Sequence, residues 1–149
     1  MIPGCEIKLL ITDFDGTLVD TFRANYMAYR KAFEEVGLVL CETDYRCCFG
    51  YRFEKFMEVC GVTDEKKAAE IKELKSFYYP DYFKYLQVND VLLRLLLTFK
   101  KGGGKIAVAS TARRKNLDNV LRYIGVVDNF DYILAGEDVE CGKPSPEIY

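Results

Sequence analysis

The stretch Asp13-Phe14-Asp15-Gly16-Thr17-Leu18-Val19-Asp20-Thr21 decides the fold, and it follows a short apolar run, residues 7–13 (IKLLITD). The run is rich in β-branched residues and ends at a glycine turn, which is typical of a buried strand. Residues two apart in extended chain point the same way, so Asp13 and Asp15 are expected to face one cavity while Phe14 enters the core. Open α/β sheets bind ligands at the carboxyl ends of their strands, and this predicts a functional site here.

A long helical segment follows this motif, from about Val19 to about Arg94. Its apolar residues recur at spacings of three and four, as on one face of a helix. Thr63 is predicted to cap one of these helices, which should end before Pro80, since the residue preceding a proline disfavours helical backbone. The segment is therefore interpreted as a helical insertion after the first strand.

Strand patterns return in the last third of the chain, at residues 105–109 (KIAVA) and 131–134 (DYIL), with a helical pattern between them. Strands that alternate with helices pair in parallel, so the sequence predicts an α/β fold. We expect a Rossmann-like parallel sheet, incomplete with about three strands, and an inserted α-helical domain. The predicted domains are a core of residues 1–18 and 95–149 and a helical domain of residues 19–94.

The composition excludes several kinds of chemistry. The 149 residues contain no histidine, which excludes Ser-His-Asp triads, Cys-His pairs and histidine-bound zinc. The 21 Lys and Arg residues are outnumbered by 23 Asp and Glu, and a formal charge of -2 argues against nucleic acid as a partner. No apolar stretch is long enough to span a membrane, and residues 1–11 lack the pattern of a signal peptide.

The six cysteines predict a cytoplasmic protein with reduced thiols, because they contain no C-x-x-C pair and have no regular spacing. A four-thiolate zinc site formed by Cys41, Cys47, Cys48 and Cys60 is the alternative interpretation.

Asp13 and Asp15 can divide the work of catalysis, one as a nucleophile and the other as a proton donor and acceptor. Two carboxylates about 4 Å apart repel each other by roughly 4 kcal/mol at an effective dielectric constant of 20. A divalent cation would relieve this repulsion, and Mg²⁺ suits an all-oxygen site in a chain without histidine. The plainer alternative is a pair of acidic residues that cap the turn after a strand.

Three motifs in this order resemble those of the haloacid dehalogenase superfamily of phosphohydrolases. DFDGTLVDT at residues 13–21 is similar to the first motif, VAST at residues 108–111 to the second, and GKPSP at residues 142–146 to the third. The insertion after the first motif resembles the helical (type I) cap of phosphoglycolate phosphatases and beta-phosphoglucomutase. The resemblance covers nearly the whole chain.

The resemblance implies a role for each residue that matches a motif. Asp13 would attack phosphorus, form an aspartyl-phosphate and bind Mg²⁺, and Asp15 would act as acid and then base while its backbone carbonyl also binds the metal. Ser110, with the backbone amides of Thr111 and Ala112, would hold the phosphoryl group, and Lys143 would neutralise its charge. In the cap, Arg52 and Lys55 are candidates to contact a distal anionic group of the substrate.

The implied function is Mg²⁺-dependent hydrolysis of a small phosphomonoester, a phosphorylated metabolite. An acid at position 15 favours phosphate esters over carbon–halogen bonds. Two alternatives stay open: a phosphomutase of the same superfamily, and a catalytically impaired fragment or binding module that retains a phosphate pocket. The family's fourth motif is not found before Tyr149, so we expect either a truncated chain or a first-strand edge covered by another copy or partner.

Overall fold

The structure is a computed structural model that describes residues 6–149, so Cys5 and the other residues of the segment 1–5 of the predicted core lie outside it. The strands are β1 (Leu9–Thr12), β2 (Val19–Asp20), β3 (Gln87–Val88), β4 (Lys105–Ala109) and β5 (Tyr132–Leu134). The α-helices are α1 (Phe22–Glu35), α2 (Glu42–Cys48), α3 (Phe53–Val59), α4 (Glu65–Tyr78), α5 (Asp90–Lys101) and α6 (Arg114–Tyr123). Single 3₁₀ segments span Tyr79–Tyr85, Val127–Asn129, Gly136–Asp138 and Pro146–Ile148.

The main sheet is parallel and has the strand order β1-β4-β5. Leu10 is paired with Ile106 across the first ladder, and Ala107 with Tyr132 across the second. The central strand β4 is buried from Ile106 to Ala109, which explains its continuous apolar run. The predicted α/β fold with a parallel sheet of about three strands is therefore confirmed.

The sequence predicted an entirely helical segment between the first two strands of this sheet, but the segment also contains two short strands. β2 and β3 form a separate antiparallel pair in which Val19 lies opposite Val88 and Asp20 opposite Gln87. This pair joins the chain where it leaves the core and where it returns. Strands of two residues are too short to show any periodicity, so only tertiary pairing reveals them.

Two apolar clusters share helix α1. Ala24 and Ala28, in its first half, pack into the cluster that surrounds the main sheet, whereas Ala32 and Phe33, in its second half, pack into the cluster formed with α2, α3 and α4. The helix thus belongs to both clusters, and the boundaries at residues 18/19 and 94/95 stay a prediction. The fully buried residues of the two clusters include Phe14, Leu18, Ile106, Val108, Leu117, Leu121, Phe33 and Ile71.

Local signals set both ends of α4. Asp64, not Thr63, caps α4, because its carboxylate accepts hydrogen bonds from the backbone N–H groups of Lys66 and Lys67 at 2.9 and 3.2 Å. The helix ends at Tyr78, before Pro80, as predicted, and a 3₁₀ segment follows it directly at Tyr79–Tyr85. No helix among residues 6–149 is both long enough and apolar enough to cross a membrane.

β1 forms one edge of the described sheet. The Lys8 carbonyl accepts a hydrogen bond from Lys105 N–H at 2.9 Å. Alternate residues of a strand direct their backbone groups to the same side, so Leu9 and Ile11 direct theirs to the open edge. Their side chains are 40% and 36% exposed. That another copy covers this edge stays a prediction.

Candidate active site

The candidate site lies where β1 and β4 end side by side. Asp13 follows β1 directly, and Ser110 follows β4. The Lys143 ammonium, from the loop after β5, lies 2.7 Å from Asp13 Oδ1 and 3.0 Å from the Ala109 carbonyl oxygen. One cation therefore joins the ends of the two strands.

The turn after β1 presents Asp13 to solvent. Gly16 has a φ of +77°, and this backbone conformation lets three successive N–H groups, beginning with that of Thr17, converge on the Phe14 carbonyl. Phe14 is buried in the core, while the side chain of Asp13 is 40% exposed. Thr17 donates its hydroxyl to Asp13 Oδ2 at 3.0 Å. Asp13 is thus held in place by two partners and is still accessible.

Lys143 keeps its charge at this site. Partial burial by itself would lower the pKa of the ammonium, but the hydrogen bond and the charge of Asp13, with a smaller contribution from Tyr149, outweigh it. The pKa of Lys143 therefore lies above its ordinary value, and the group is a fixed cation beside the carboxylate.

Asp15 is held by hydroxyl and amide donors. Thr21 donates its hydroxyl to Asp15 Oδ1 at 2.5 Å, and the Asn25 amide donates to the same oxygen at 3.4 Å. The Ser110 hydroxyl donates to Asp15 Oδ2 at 3.2 Å, while Ser110 Oγ itself accepts the Ala112 N–H at 3.0 Å. The structure thus brings together the predicted residues Asp13, Asp15, Ser110 and Lys143, with Thr111 and Ala112 beside them.

Asp15 faces a cavity of about 100 Å³ between the main sheet and the helices α1 to α4. Thr111, Ala112 and Arg113 form its wall on the side of the sheet. The opposite wall is mostly aromatic, and its residues are Tyr29, Tyr45, Phe49, Tyr51, Phe53 and Phe56.

Lys75 on α4 also lines this cavity, and the sequence analysis missed it. Its side chain is 4% exposed, and its ammonium lies 3.7 Å from the ring centroid of Tyr79 and 5.1 Å from that of Tyr29. Burial lowers the pKa of Lys75 to about 7, although the charge of Asp15 opposes this shift. The spacing could have indicated its burial, because Lys75 follows the buried Ile71 by four positions and so lies on the same face of the helix.

Asn116 is a second missed residue. It is 7% exposed and lines the cavity, and its side-chain oxygen has no hydrogen-bond partner among residues 6–149. A buried carboxamide without a partner is costly, and a ligand donor would relieve that cost. No helical periodicity distinguishes such a residue from an ordinary buried asparagine.

Of the two residues predicted to contact substrate from the helical domain, Arg52 lines a second cavity of about 300 Å³ that shares Thr111 and Arg113 with the first, and Lys55 lines neither. Their contact with substrate stays a prediction. The Arg52 guanidinium donates to the carbonyl oxygens of Gly136, Val139 and Glu140, outside the cavity that Asp15 faces. The ammonium of Lys55 pairs with Glu58 on the same helix at 2.9 Å, and the Lys55 side chain is 57% exposed. The structure does not bring Lys55 together with the other predicted residues.

The oxygen donors here fit Mg²⁺ in chemical type. The Asp13 carboxylate is accessible, and the Asp15 carbonyl follows it by two residues; Mg²⁺ is commonly held by one or two such protein oxygens together with water and phosphate oxygens. Within residues 6–149 no three His, Cys, Asp or Glu side chains are grouped so that they could hold a metal. The alternative zinc site at Cys41, Cys47, Cys48 and Cys60 is therefore not formed.

Comparisons with known proteins agree with this arrangement. Residues 10–149 match the family model described as haloacid dehalogenase-like hydrolase. A phosphorylated carbohydrates phosphatase of Thermotoga maritima is 30% identical over 150 residues, which cover 96% of this chain and 68% of that protein. A beta-phosphoglucomutase of Bacillus subtilis is 28% identical over 153 residues, which cover 96% of this chain and 67% of the enzyme.

The solved structures agree as well. The beta-phosphoglucomutase of Clostridium difficile superimposes with a TM-score of 0.77 at 28% identity, covering 96% of this chain and 68% of that one. The chain spans about two thirds of the length of the curated relatives it matches. With three motifs gathered at one sheet edge and a family match over nearly all of its residues, the chain belongs to the haloacid dehalogenase-like hydrolases.

Proposed function

We propose that the protein hydrolyses a small phosphomonoester through an aspartyl-phosphate on Asp13. The observation that carries this proposal is the contact of Lys143 with both Asp13 and the Ala109 carbonyl, which places a fixed cation and an accessible carboxylate at one strand end. A carboxylate nucleophile needs a positive charge beside it to approach a phosphate dianion.

The reaction would proceed in two displacements. An Asp13 oxygen forms a bond to phosphorus as the bond to the alcohol oxygen breaks, and Asp15 gives its proton to that oxygen. Water then attacks the same phosphorus, Asp15 takes a proton from it, and Asp13 is restored as inorganic phosphate leaves. Before substrate binds, the hydroxyls of Thr21 and Ser110 donate to Asp15 and hold its carboxyl group at the cavity, where the leaving alcohol would lie.

The phosphoryl group would lie between Ser110 and Lys143. Lys143 would donate to its oxygens throughout both steps, and the single proton of the Ser110 hydroxyl would turn from Asp15 to a phosphoryl oxygen once substrate is bound. Bound Mg²⁺, held by the Asp13 carboxylate and the Asp15 carbonyl, would supply further compensation for the negative charge. Lys75 and Asn116 would face the leaving group, Lys75 as a donor to an oxygen and Asn116 as an acceptor from a hydroxyl.

A phosphomutase is the second candidate, and the similarity to a beta-phosphoglucomutase at 28% identity favours it. The two activities differ in the acceptor of the phosphoryl group, which is water in one and a sugar hydroxyl in the other. A module that binds phosphate without turnover is the third. Free thiols at the five described cysteines are consistent with a cytoplasmic location, which belongs to the same proposal.

The test measures turnover of p-nitrophenyl phosphate with Mg²⁺, and binding of beryllofluoride, a mimic of an aspartyl-bound phosphoryl group, by ¹⁹F NMR. We expect both in the unaltered chain, and we expect Asp13→Asn to abolish the bound ¹⁹F signal and reduce turnover by at least about a hundredfold. Asp81→Asn, an exposed site away from the cavity, is the matched control.

Three outcomes separate the candidates. Turnover that gives phosphate in the absence of a sugar acceptor supports a phosphatase, and turnover that requires a sugar phosphate supports a mutase. Beryllofluoride binding without either activity supports the binding module. If the chain neither binds nor turns over, or if Asp13→Asn changes nothing, the proposal is wrong.

A further inference from the structure

The cavity that Asp15 faces contains a buried amine without an ion pair. Lys75 is 4% exposed, and its nitrogen lies 5.1 Å from the ring centroid of Tyr29 and 3.7 Å from that of Tyr79. Among residues 6–149 it has no hydrogen bond to a carboxylate. Aromatic rings stabilise a cation less than the water that burial removes. The neutral amine is therefore favoured, and burial lowers the pKa of Lys75 to about 7.

A second cation lies in the wall of the same cavity. The Arg113 guanidinium lies 2.7 Å from Glu73 Oε1 and donates to the hydroxyl of Ser76, the residue after Lys75, at 3.2 Å. The charge of Arg113 lowers the pKa of Lys75 further, although the charge of Asp15 acts in the opposite direction. A lysine that is buried beside another cation is a nucleophile at neutral pH, because its nitrogen then has a free electron pair.

The same cavity contains an acceptor without a donor. Asn116, on α6, is 7% exposed and lines the cavity, and its side-chain oxygen has no hydrogen-bond partner in the described part of the chain. A buried acceptor of this kind costs stability until a ligand donates to it. A ligand that suits both groups has an electrophilic carbon for the amine of Lys75 and a hydroxyl group for the carboxamide of Asn116.

The size of the cavity limits such a ligand to a few atoms. The cavity has a volume of about 100 Å³, whereas a protein cavity of about 150 Å³ holds the six carbon atoms of benzene. A molecule of about four heavy atoms therefore fits beside Lys75. It can enter through the second cavity, which has a volume of about 300 Å³ and shares Phe53, Lys72, Thr111 and Arg113 with the first.

We propose that Lys75 and Asn116 form a covalent binding site for a small hydroxyaldehyde. The neutral nitrogen of Lys75 attacks the aldehyde carbon, a C–N bond forms, and the carbonyl oxygen takes one proton from the nitrogen. That oxygen then leaves as water with the second proton of the nitrogen, so one amine and one aldehyde give one imine and one water molecule. The reaction needs no oxidant or reductant. The hydroxyl group of the ligand remains and donates to Asn116 Oδ1.

Reductive trapping tests this proposal without any phosphate, metal or turnover, so its failure leaves the proposed reaction of Asp13 untouched. The folded chain is incubated at pH 7 with glycolaldehyde, a hydroxyaldehyde of the required size, and with sodium cyanoborohydride, which reduces an imine to a stable amine. Peptide mass spectrometry then locates the added hydroxyethyl group. We expect labelling of Lys75 to exceed that of the exposed Lys66 by at least about tenfold. Urea should remove this preference, because unfolding exposes both amines to water.

Lys72→Met is the matched control variant. Lys72 lies one turn before Lys75 on α4 and lines the same cavity, but its side chain is 37% exposed and its ammonium lies 3.8 Å from Glu54 Oε1. Its removal should leave the main label in place, whereas Lys75→Met should abolish that label. If Lys75→Met does not fold, the position of the label in the unaltered chain still decides the result. A label spread evenly over the exposed lysines, or one that avoids Lys75, would overturn the proposal.

Propanal tests the contribution of Asn116, because it has the size of glycolaldehyde but a methyl group in place of the hydroxyl. With labelling of Lys66 by each aldehyde as the reference, the label on Lys75 should be about fivefold higher with glycolaldehyde. Asn116→Leu should remove that difference. Equal labelling of Lys75 by the two aldehydes in the unaltered chain would show that Asn116 does not take part in the site.

Discussion

At the scale of single residues, the most unusual group is the buried ammonium of Lys75. It has aromatic rings on two sides, those of Tyr29 and Tyr79, and the charges of Asp15 and Arg113 act on it in opposite directions. Burial of a cation without an ion pair destabilises a fold, so Lys75 is expected to cost stability where it stands.

This residue predicts a dependence of stability on pH. Because the pKa of Lys75 is lowered to about 7 in the folded chain, the unfolded chain binds more protons between about pH 7 and 10. The contribution of Lys75 to stability therefore rises with pH across this range and is constant below it.

Lys75→Met should raise the free energy of unfolding at pH 7 by about 1–4 kcal/mol. It should also remove the contribution of Lys75 to the change in stability between pH 7 and pH 9. The raised pKa of Cys60 lowers stability with pH in this range, but it does so equally in both chains and cancels in the comparison. Urea titrations at the two pH values measure both effects, with the exposed Lys66→Met as control. An unaltered pH profile would show that the ammonium titrates normally.

At the scale of elements, the N-cap residue of α1 does not cap its helix, because its side chain contacts the candidate active site. Thr21 stands at the N-cap, where a threonine usually accepts a hydrogen bond from the first turn, but its hydroxyl donates to Asp15 instead. Asp20 accepts the Phe22 N–H at 3.1 Å in its place. The sequence pattern predicted helical structure here, yet it did not predict that Thr21 donates to Asp15 while Asp20 accepts from the helix.

At the start of α4 the N-cap side chain does cap the helix, so this helix allows a test of capping. Asp64→Ala removes two acceptor contacts, to Lys66 N–H and Lys67 N–H. We expect a loss of about 1 kcal/mol in the free energy of unfolding. Asp64→Ser restores an acceptor and should recover most of it. Thr63→Ala should change little if Asp64 alone caps the helix, and chemical denaturation compares the three variants.

At the scale of the whole molecule, the chain consists of two apolar clusters that α1 joins and that two arginines connect across a cleft. The described sheet ends at β1, whose backbone groups at Leu9 and Ile11 are directed outward. An uncovered edge strand with apolar side chains favours association with another strand.

We expect this edge to promote self-association of the 149-residue chain. Sedimentation velocity should show a species heavier than the monomer whose fraction grows with protein concentration. Leu9→Lys, which places a charge on a side chain that is already 40% exposed, should shift the population to monomer and alter stability by no more than about 0.5 kcal/mol. A monomer at all concentrations in the unaltered chain would show that the edge stays uncovered.

The sequence alone determined the α/β class, the order of the motifs and the residues at the strand ends. These features depend on local periodicity and on the rule that parallel strands present their carboxyl ends at one edge. Only tertiary structure decided that Lys75 enters the cavity, that β2 pairs with β3, and that Arg52 binds backbone carbonyl groups far along the chain. Those contacts join segments about 45 to 90 residues apart. The packing of complete helices, not the spacing of residues, brings such segments together.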